Sequence, residues 1–179
     1  MLVLKETRRL LESLRGVWDE ETVDELDHAL QSAARAAEDG ADDELVLAAA
    51  LHDLGHSPLL DAADHPGAYT HHDTAARDWL TPRFGARVGW LAGAHVAAKQ
   101  FLAATDPGYG GQLTAASAQS LAAQGGPGVD PSFTGHPWWP DALRLRRYDD
   151  AAKNPGGVGA TIDDVLVIAE RVLRQQLSP

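Results

Sequence analysis

The chain has 179 residues, of which 44% are hydrophobic, and it carries a formal net charge of −11 with no cysteine. Length and apolar content predict one globular domain, residues 1–179, able to bury a sizeable core, and the missing cysteines exclude disulfides and thiolate metal sites. The charge argues against a nucleic-acid partner, because phosphate backbones demand Lys and Arg surfaces; it reads as a solubility feature that still allows a small anion held by local cations. No apolar run is long enough to span a bilayer, and the first residues lack the apolar stretch and cleavage site of a signal peptide. A cytoplasmic location without a membrane partner is expected, and the sequence gives no oligomeric state.

Residues 2–15 set Leu2, Leu4, Leu10, Leu11 and Leu14 among charges, an amphipathic helix stopped by Gly16. A second helix is expected over 19–40, with Val23, Leu26, Leu30, Ala33, Ala34 and Ala37 at helical spacing and Gly40 as its C-cap. A third, over 42–54, is apolar almost all round from Leu45 to Leu51, which is how a buried helix reads. A polar loop follows over 57–71. Helix then resumes over 72–80, ahead of Pro82 and Gly85, and again over 88–104. A short helix is expected over 114–124. The stretch 125–140 reads as a long loop, long enough to suggest a lid. The last two helices span 141–153 and 161–177, the second with a capping-box-like Thr161-x-x-Asp164. There is no β alternation and no repeat, so the fold is predicted to be all-α.

The chemistry concentrates at Ala49–His56, reading Ala-Ala-Leu-His-Asp-Leu-Gly-His. A buried helix ending in His52, Asp53 and His56 carries costly polar groups into the core, and such groups are usually paired or metal-bound. Other polar positions interrupt apolar faces: His28 between Leu26 and Leu30, His95 among Trp90, Leu91, Ala94 and Val96, His72 opening a helix, and Asp149 after Leu145 and Tyr148. Taken singly, each His has a simpler reading as a core histidine bonded to a backbone carbonyl. Taken together, four His and two Asp offer only N and O donors, a set suited to iron, manganese or zinc. Two metals sharing Asp53 would use all six; one would use only His28, His52, Asp53 and Asp149. His71 neighbours His72, but spacing to Trp79 and Leu80 favours His72, and His65 and His136 have no assigned role. His95 and Lys99 are one turn apart, as are Arg146 and Asp149, while Ser117, Ser120 and Gln124 share a helix face. Alone, these polar residues read as solvated faces or salt bridges; together with His56 they offer cations and hydrogen-bond donors to an anion.

The order His, His-Asp, His, His, Asp resembles the HD-domain superfamily of metal-dependent phosphohydrolases, and the two added histidines resemble its dinuclear branch. The segments Leu26-Asp-His-Ala-Leu-Gln31, Ala49-Ala-Leu-His-Asp-Leu-Gly-His56, His95-Val-Ala-Ala-Lys99, Ser120-Leu-Ala-Ala-Gln-Gly-Gly126 and Arg144-Leu-Arg-Arg-Tyr-Asp-Asp-Ala-Ala-Lys153 are similar to the mixed-valent diiron oxygenases of the HD fold that cleave the C–P bond of 1-hydroxyphosphonates, the PhnZ type. The resemblance spans roughly residues 17–157, leaving the terminal helices to packing. It implies an HD-domain helical bundle and two iron ions, Fe(II)/Fe(III) in the active state. One would be held by His28, His52, Asp53 and Asp149, the other by His72, His95 and the shared Asp53. It assigns Lys99, Arg146, His56, Ser117, Ser120 and Gln124 to the phosphonate, with O2 as co-substrate and phosphate plus a carboxylic acid as products.

The aminophosphonate members of that family carry Tyr-x-x-Glu before the first His, the Tyr plugging an open iron position and the Glu meeting an ammonium group. Trp18 and Glu21 stand at the matching positions. An indole N–H only donates, so Trp18 is no iron ligand. It can instead face a cationic substrate group or staple the helix start. The substrates this leaves are 2-amino-1-hydroxyethylphosphonate, its trimethylammonio analogue and a shorter hydroxyphosphonate. The rival readings are a phosphohydrolase acting on a phosphate ester or nucleotide, and a non-catalytic binding domain with a degenerate site.

Overall fold

The computed structural model describes residues 2–19, 22–61 and 71–177, and every regular element among them is helical. The expected all-α bundle is what forms. The N-terminal helix α1 (Leu2–Ser13) buries Leu10 and Leu11. Helix α2 (Glu25–Glu38) begins six residues later than its periodicity suggests. The reason is Asp24, extended at φ −80°, ψ 164°, whose carboxylate accepts from the Asp27 N–H at 2.9 Å and from Gly16 N–H at 2.9 Å. A good N-cap placed there overrides the apolar spacing that continues upstream.

Helix α3 (Asp43–Leu51) is capped by Asp42 and is buried along the whole of Leu45–Leu51. It is the axle of the bundle, packed by α2, by α6 (Ala86–Thr105), by α9 (Trp139–Ala151) and by α10 (Ile162–Gln176). Each fully buried Leu on it contributes about 1.5–3 kcal/mol of burial. The helix ends three residues before the predicted boundary. His52 is its C-cap, Asp53 lies in a turn, and Leu54–His56 form a 3-10 turn. Leaving the helix at this point frees two adjacent side chains to share one direction, which they cannot do on a helix.

A short helix α4 (Pro58–Asp61) interrupts the predicted loop. Helix α5 (His72–Phe84) runs through Pro82, which falls in its last turn, and stops at Gly85, whose φ of +90° suits glycine. Helices α5 and α6 lie antiparallel, Gly89 facing Thr81 and Gly93 facing Arg77. Helix α7 (Ala115–Ala123) is capped by Thr114, and a short α8 (Pro131–Thr134) breaks the predicted long loop. Within that stretch the ring of His136 stacks on Trp90 with centroids 4.1 Å apart and Trp138 meets it edge-on, which braces the loop against α6. The predicted capping box of α10 is present in full, and α10 adds Val165, Ala169 and Val172 to a core cluster continuous with α1. Among the described residues no helix is long and apolar enough to cross a membrane.

One glycine fixes where the site forms. A Cβ on Gly55 would stand 2.5 Å from the Cα of His72, and closer still to its carbonyl oxygen. Only a residue without a side chain lets the first turn of α5 settle against the turn that carries Asp53.

Candidate metal centre and anion pocket

Asp53 stands between two groups of imidazoles. Its Oδ2 lies 3.0 Å from His52 Nε2 and 3.3 Å from His28 Nε2. Asp149 closes that set, 3.4 Å from His28 Nε2 and 3.5 Å from His52 Nε2. On the other side, Asp53 Oδ1 lies 3.4 Å from both His72 Nε2 and His95 Nε2, and those two nitrogens are 3.0 Å apart. Metal–ligand bonds of about 2.1 Å produce ligand–ligand edges of about 3.0 Å at right angles and about 3.4 Å at tetrahedral angles. Both sets have those edges, and the carboxylate presents one oxygen to each. His56 also has a ring nitrogen within 4.8 Å of donors on Asp53 and His72, and its ring stacks on that of His72.

The ring tautomers fit metal binding. Nδ1 of His52 meets Ala49 O at 2.9 Å, Nδ1 of His95 meets Ala92 O at 2.6 Å, and Nδ1 of His28 meets Ala152 O at 3.1 Å. A carbonyl oxygen only accepts, so these Nδ1 atoms carry hydrogen and a neutral ring keeps its Nε2 lone pair pointing inward. His52 Nε2 is fully buried and makes no hydrogen bond, although a carboxylate oxygen is 3.0 Å away. A buried lone pair facing a carboxylate is repulsive unless a proton or a metal cation lies between them. The donor set therefore fits a divalent first-row metal.

The two sets differ in charge. Burial opposes a cationic His28, yet the carboxylates of Asp149 and Asp53 hold it well above the usual imidazole range. His52, against the same burial, is pushed up to about 9 by Asp53 and Asp149. Asp53 and Asp149 are held well below the usual carboxylate range despite burial, the first by His52 and His28, the second by Arg146 and Lys153. Burial instead lowers His72, and lowers His95 well below the ordinary value, leaving neutral imidazoles.

Beside these His and Asp side chains the pocket is lined by Lys99, Ser117, Ser120, Gln124, Arg146 and Lys153. The predicted polar face of α7 is brought in intact. Lys99 Nζ donates to Ser120 Oγ at 2.6 Å, and Lys153 Nζ donates to Ser117 Oγ at 2.6 Å. These two lysine–serine pairs, one from α6 and one from the end of α9, form a cationic wall. Arg146 is deeper and more constrained: its guanidinium bonds Asp149 at 2.7 Å, Tyr109 Oη at 2.9 Å, and Asp150. It fixes Asp149 more than it offers a free fork to an anion. His56 lines an adjoining cavity of about 520 Å³ that shares His72, Ser120 and Gln124 with the pocket.

Trp18 is 62% exposed and is absent from the lining of either cavity; its neighbour Asp19 lines both. The indole faces solvent, while Asp19, itself exposed, borders both cavities. Glu21 lies outside the described residues. Three pocket residues are missing from the sequence reading: Asp19, Glu25 and Lys153. Lys153 had a readable signal, since it stands one turn after Asp149. Glu25 had none, because an acid in the first turn of a helix reads as a favourable charge at the positive end of the dipole.

No family model matches the chain. Curated relatives do. The chain is 37% identical over 144 residues to a hydroxymethylphosphonate dioxygenase of Gimesia maris, covering 76% of this chain and 71% of that protein. It is 31% identical over 160 residues to a [1-hydroxy-2-(trimethylamino)ethyl]phosphonate dioxygenase (glycine-betaine-forming) of Leisingera caerulea, covering 80% of each. Identity at this level over most of both partners, carried by a helical bundle whose His and Asp side chains converge as described, makes the chain a member of the HD-fold hydroxyphosphonate dioxygenase family.

Proposed function

We propose that the protein uses O2 to cleave the C–P bond of a 1-hydroxyphosphonate, releasing phosphate and a carboxylic acid. The observation that carries this reading is Asp53, one carboxylate oxygen turned to each of two imidazole sets, next to a wall of two lysine–serine pairs. The atoms balance with one O2: R–CH(OH)–PO3H2 and O2 become R–COOH and H3PO4, so no further reductant enters. His28, His52, Asp149 and Asp53 would hold one iron ion, and His72, His95 and Asp53 a second. When bound as an Fe(II)/Fe(III) pair, the irons supply the redox chemistry with O2 that no side chain can supply.

The residues then have separate tasks. Lys99 and Lys153 neutralise the phosphonate oxygens, each oriented by a serine hydroxyl. Gln124, whose buried Oε1 makes no hydrogen bond, offers its amide at the rim of the same wall. Arg146 keeps Asp149 ionised and aimed. His56 packs on His72 and steadies its ring. The activities of these relatives favour this reading over a phosphohydrolase. The test is anaerobic iron reconstitution followed by incubation with hydroxyphosphonates with and without O2. Phosphate release that requires both iron and O2 is expected; equal release without O2 would return the protein to the phosphohydrolases.

A further inference from the structure

We propose that Gln31 is a positioning residue for Lys153: its side-chain amide grips the backbone that follows Lys153 and so holds the ammonium group in the cationic wall. The inference rests on the C–P-cleaving reading above and adds a residue to its anion site.

Gln31 stands one turn after His28 on α2. It is 2% exposed and lines neither the pocket nor the adjoining cavity. Its amide is matched to a single residue. Oε1 accepts from the Asn154 N–H at 3.2 Å, and Nε2 donates to the Asn154 carbonyl at 3.0 Å. A side-chain amide carries an acceptor and a donor side by side, so it pairs with the N–H and C=O of one residue as a neighbouring strand would. The returning chain closes over it, for a Cβ on Gly157 would stand 2.9 Å from Oε1. Burying an amide costs free energy, which these two bonds offset.

The gripped stretch lies just past the end of α9 at Ala151. Its carbonyls are held from the side of α2. Ala152 O meets His28 Nδ1 at 3.1 Å, Lys153 O accepts from Thr22 Oγ1 at 3.2 Å, and Asn154 meets Gln31 through both its backbone polar groups. Thr22 is exposed and its bond competes with water, whereas Gln31 is buried. Gln31 is therefore the firmer hold on the far side of Lys153. From this backbone the Lys153 side chain, 9% exposed, reaches Ser117 Oγ at 2.6 Å and comes within 3.6 Å of Asp149 Oδ1. A packed arm follows its own backbone. A shift of about 1 Å in the Asn154 peptide would carry the ammonium off its serine and away from the anion. Helix α2 thus presents two side chains, one turn apart, to one stretch of chain: His28 orients its own ring there, and Gln31 aims the lysine beside it.

The test is a double-mutant cycle on the iron-loaded protein, with wild type, Gln31→Met, Lys153→Met and the double variant. Kd for hydroxymethylphosphonate and for inorganic phosphate is read by anaerobic calorimetry, kcat and KM by phosphate release in O2, and iron content by metal analysis. Methionine nearly keeps the volume of glutamine and removes both bonds. Gln31→Met should raise Kd and KM about tenfold, with kcat within about twofold and iron retained. Lys153→Met should raise them about thirtyfold, within the range of a charge-assisted hydrogen bond. The double variant should be no worse than Lys153→Met, because Gln31 then has nothing to aim. Gly157→Ala would push the amide from outside the core and should raise Kd about threefold, again with no effect beside Lys153→Met. It carries the same cycle where Gln31→Met does not fold. Unchanged Kd in Gln31→Met, or losses that multiply in the double variant, would overturn the inference, since the amide would then serve the fold alone. Loss of iron with no rise in Kd per iron-loaded chain would overturn it too, by placing the effect at His28. Wild type that binds phosphate but releases none from any hydroxyphosphonate in O2 would remove the functional reading, while the cycle on phosphate binding would still decide the role of Gln31.

Discussion

The set around Asp149 and the set around His95 draw on one shared carboxylate, yet they are built to opposite electrostatic plans. The first has two ionised carboxylates, countered by Arg146 and Lys153 and by two imidazoles that hold protons strongly. The second has neutral imidazoles and only its share of Asp53. A divalent ion entering the first set meets two carboxylates and displaces protons; one entering the second meets mostly neutral nitrogen. Four donors with two carboxylates against three donors with one shared carboxylate should give unequal holding power, and the set with fewer donors is the one bordering the open cavity.

The largest expected effect comes from removing what the two sets share. Asp53→Asn should abolish activity and lower bound iron from about two ions to fewer than one per chain, measured by metal analysis after reconstitution; retention of both ions would break the bridging assignment. Gly55→Ala comes next, because its Cβ would push His72 away. It should empty the second set alone, leaving about one iron and costing several kcal/mol of stability by thermal unfolding. Loss of both ions together would show that the sets are not separable.

Graded chelation of the reduced protein should remove iron in two steps, the second set first, with affinities separated by about tenfold or more; a single step would erase the contrast. Lys99 sharpens the comparison from the substrate side. Burial, then Arg146 and Lys153, push its ammonium down to about 8. The charge is present below that pH and lost above it. KM for the phosphonate should therefore climb up to about tenfold from pH 8 to 9, and Lys99→Arg should flatten the climb. The smallest change is expected for Trp18→Ala, under about twofold in KM, since the indole faces solvent.

Much of this was legible from residue types. The helical periodicity carried the all-α fold, and the six N and O donors expected on apolar helical faces do converge, with the Lys99 and Ser120 side chains beside them. What could not be read was the division of labour inside one residue: no spacing says that Asp53 turns Oδ1 one way and Oδ2 the other, because that follows from the chain leaving α3 at Leu51. Helix ends were misjudged where a single cap outweighed periodicity, as at Asp24, or where a proline fell late enough to be tolerated, as at Pro82. Burial at the start of α2 was not legible either: an acid on a first turn looks solvated, yet Glu25 is buried, while Trp18 is 62% exposed.

The carbonyl partners of the histidines set an order of assembly. Those of His52 and His95 lie three residues back in the same helix, so these rings take their orientation as soon as their own turn of helix exists. His28 depends on Ala152, 124 positions away. Its ring is aimed only when α2 meets the end of α9, which also brings Asp149 into place. Closure of the chain over that distance and completion of the first set are one event, so a metal ion held there would act as a clasp: with it bound, α2 and the end of α9 could not part without first giving it up.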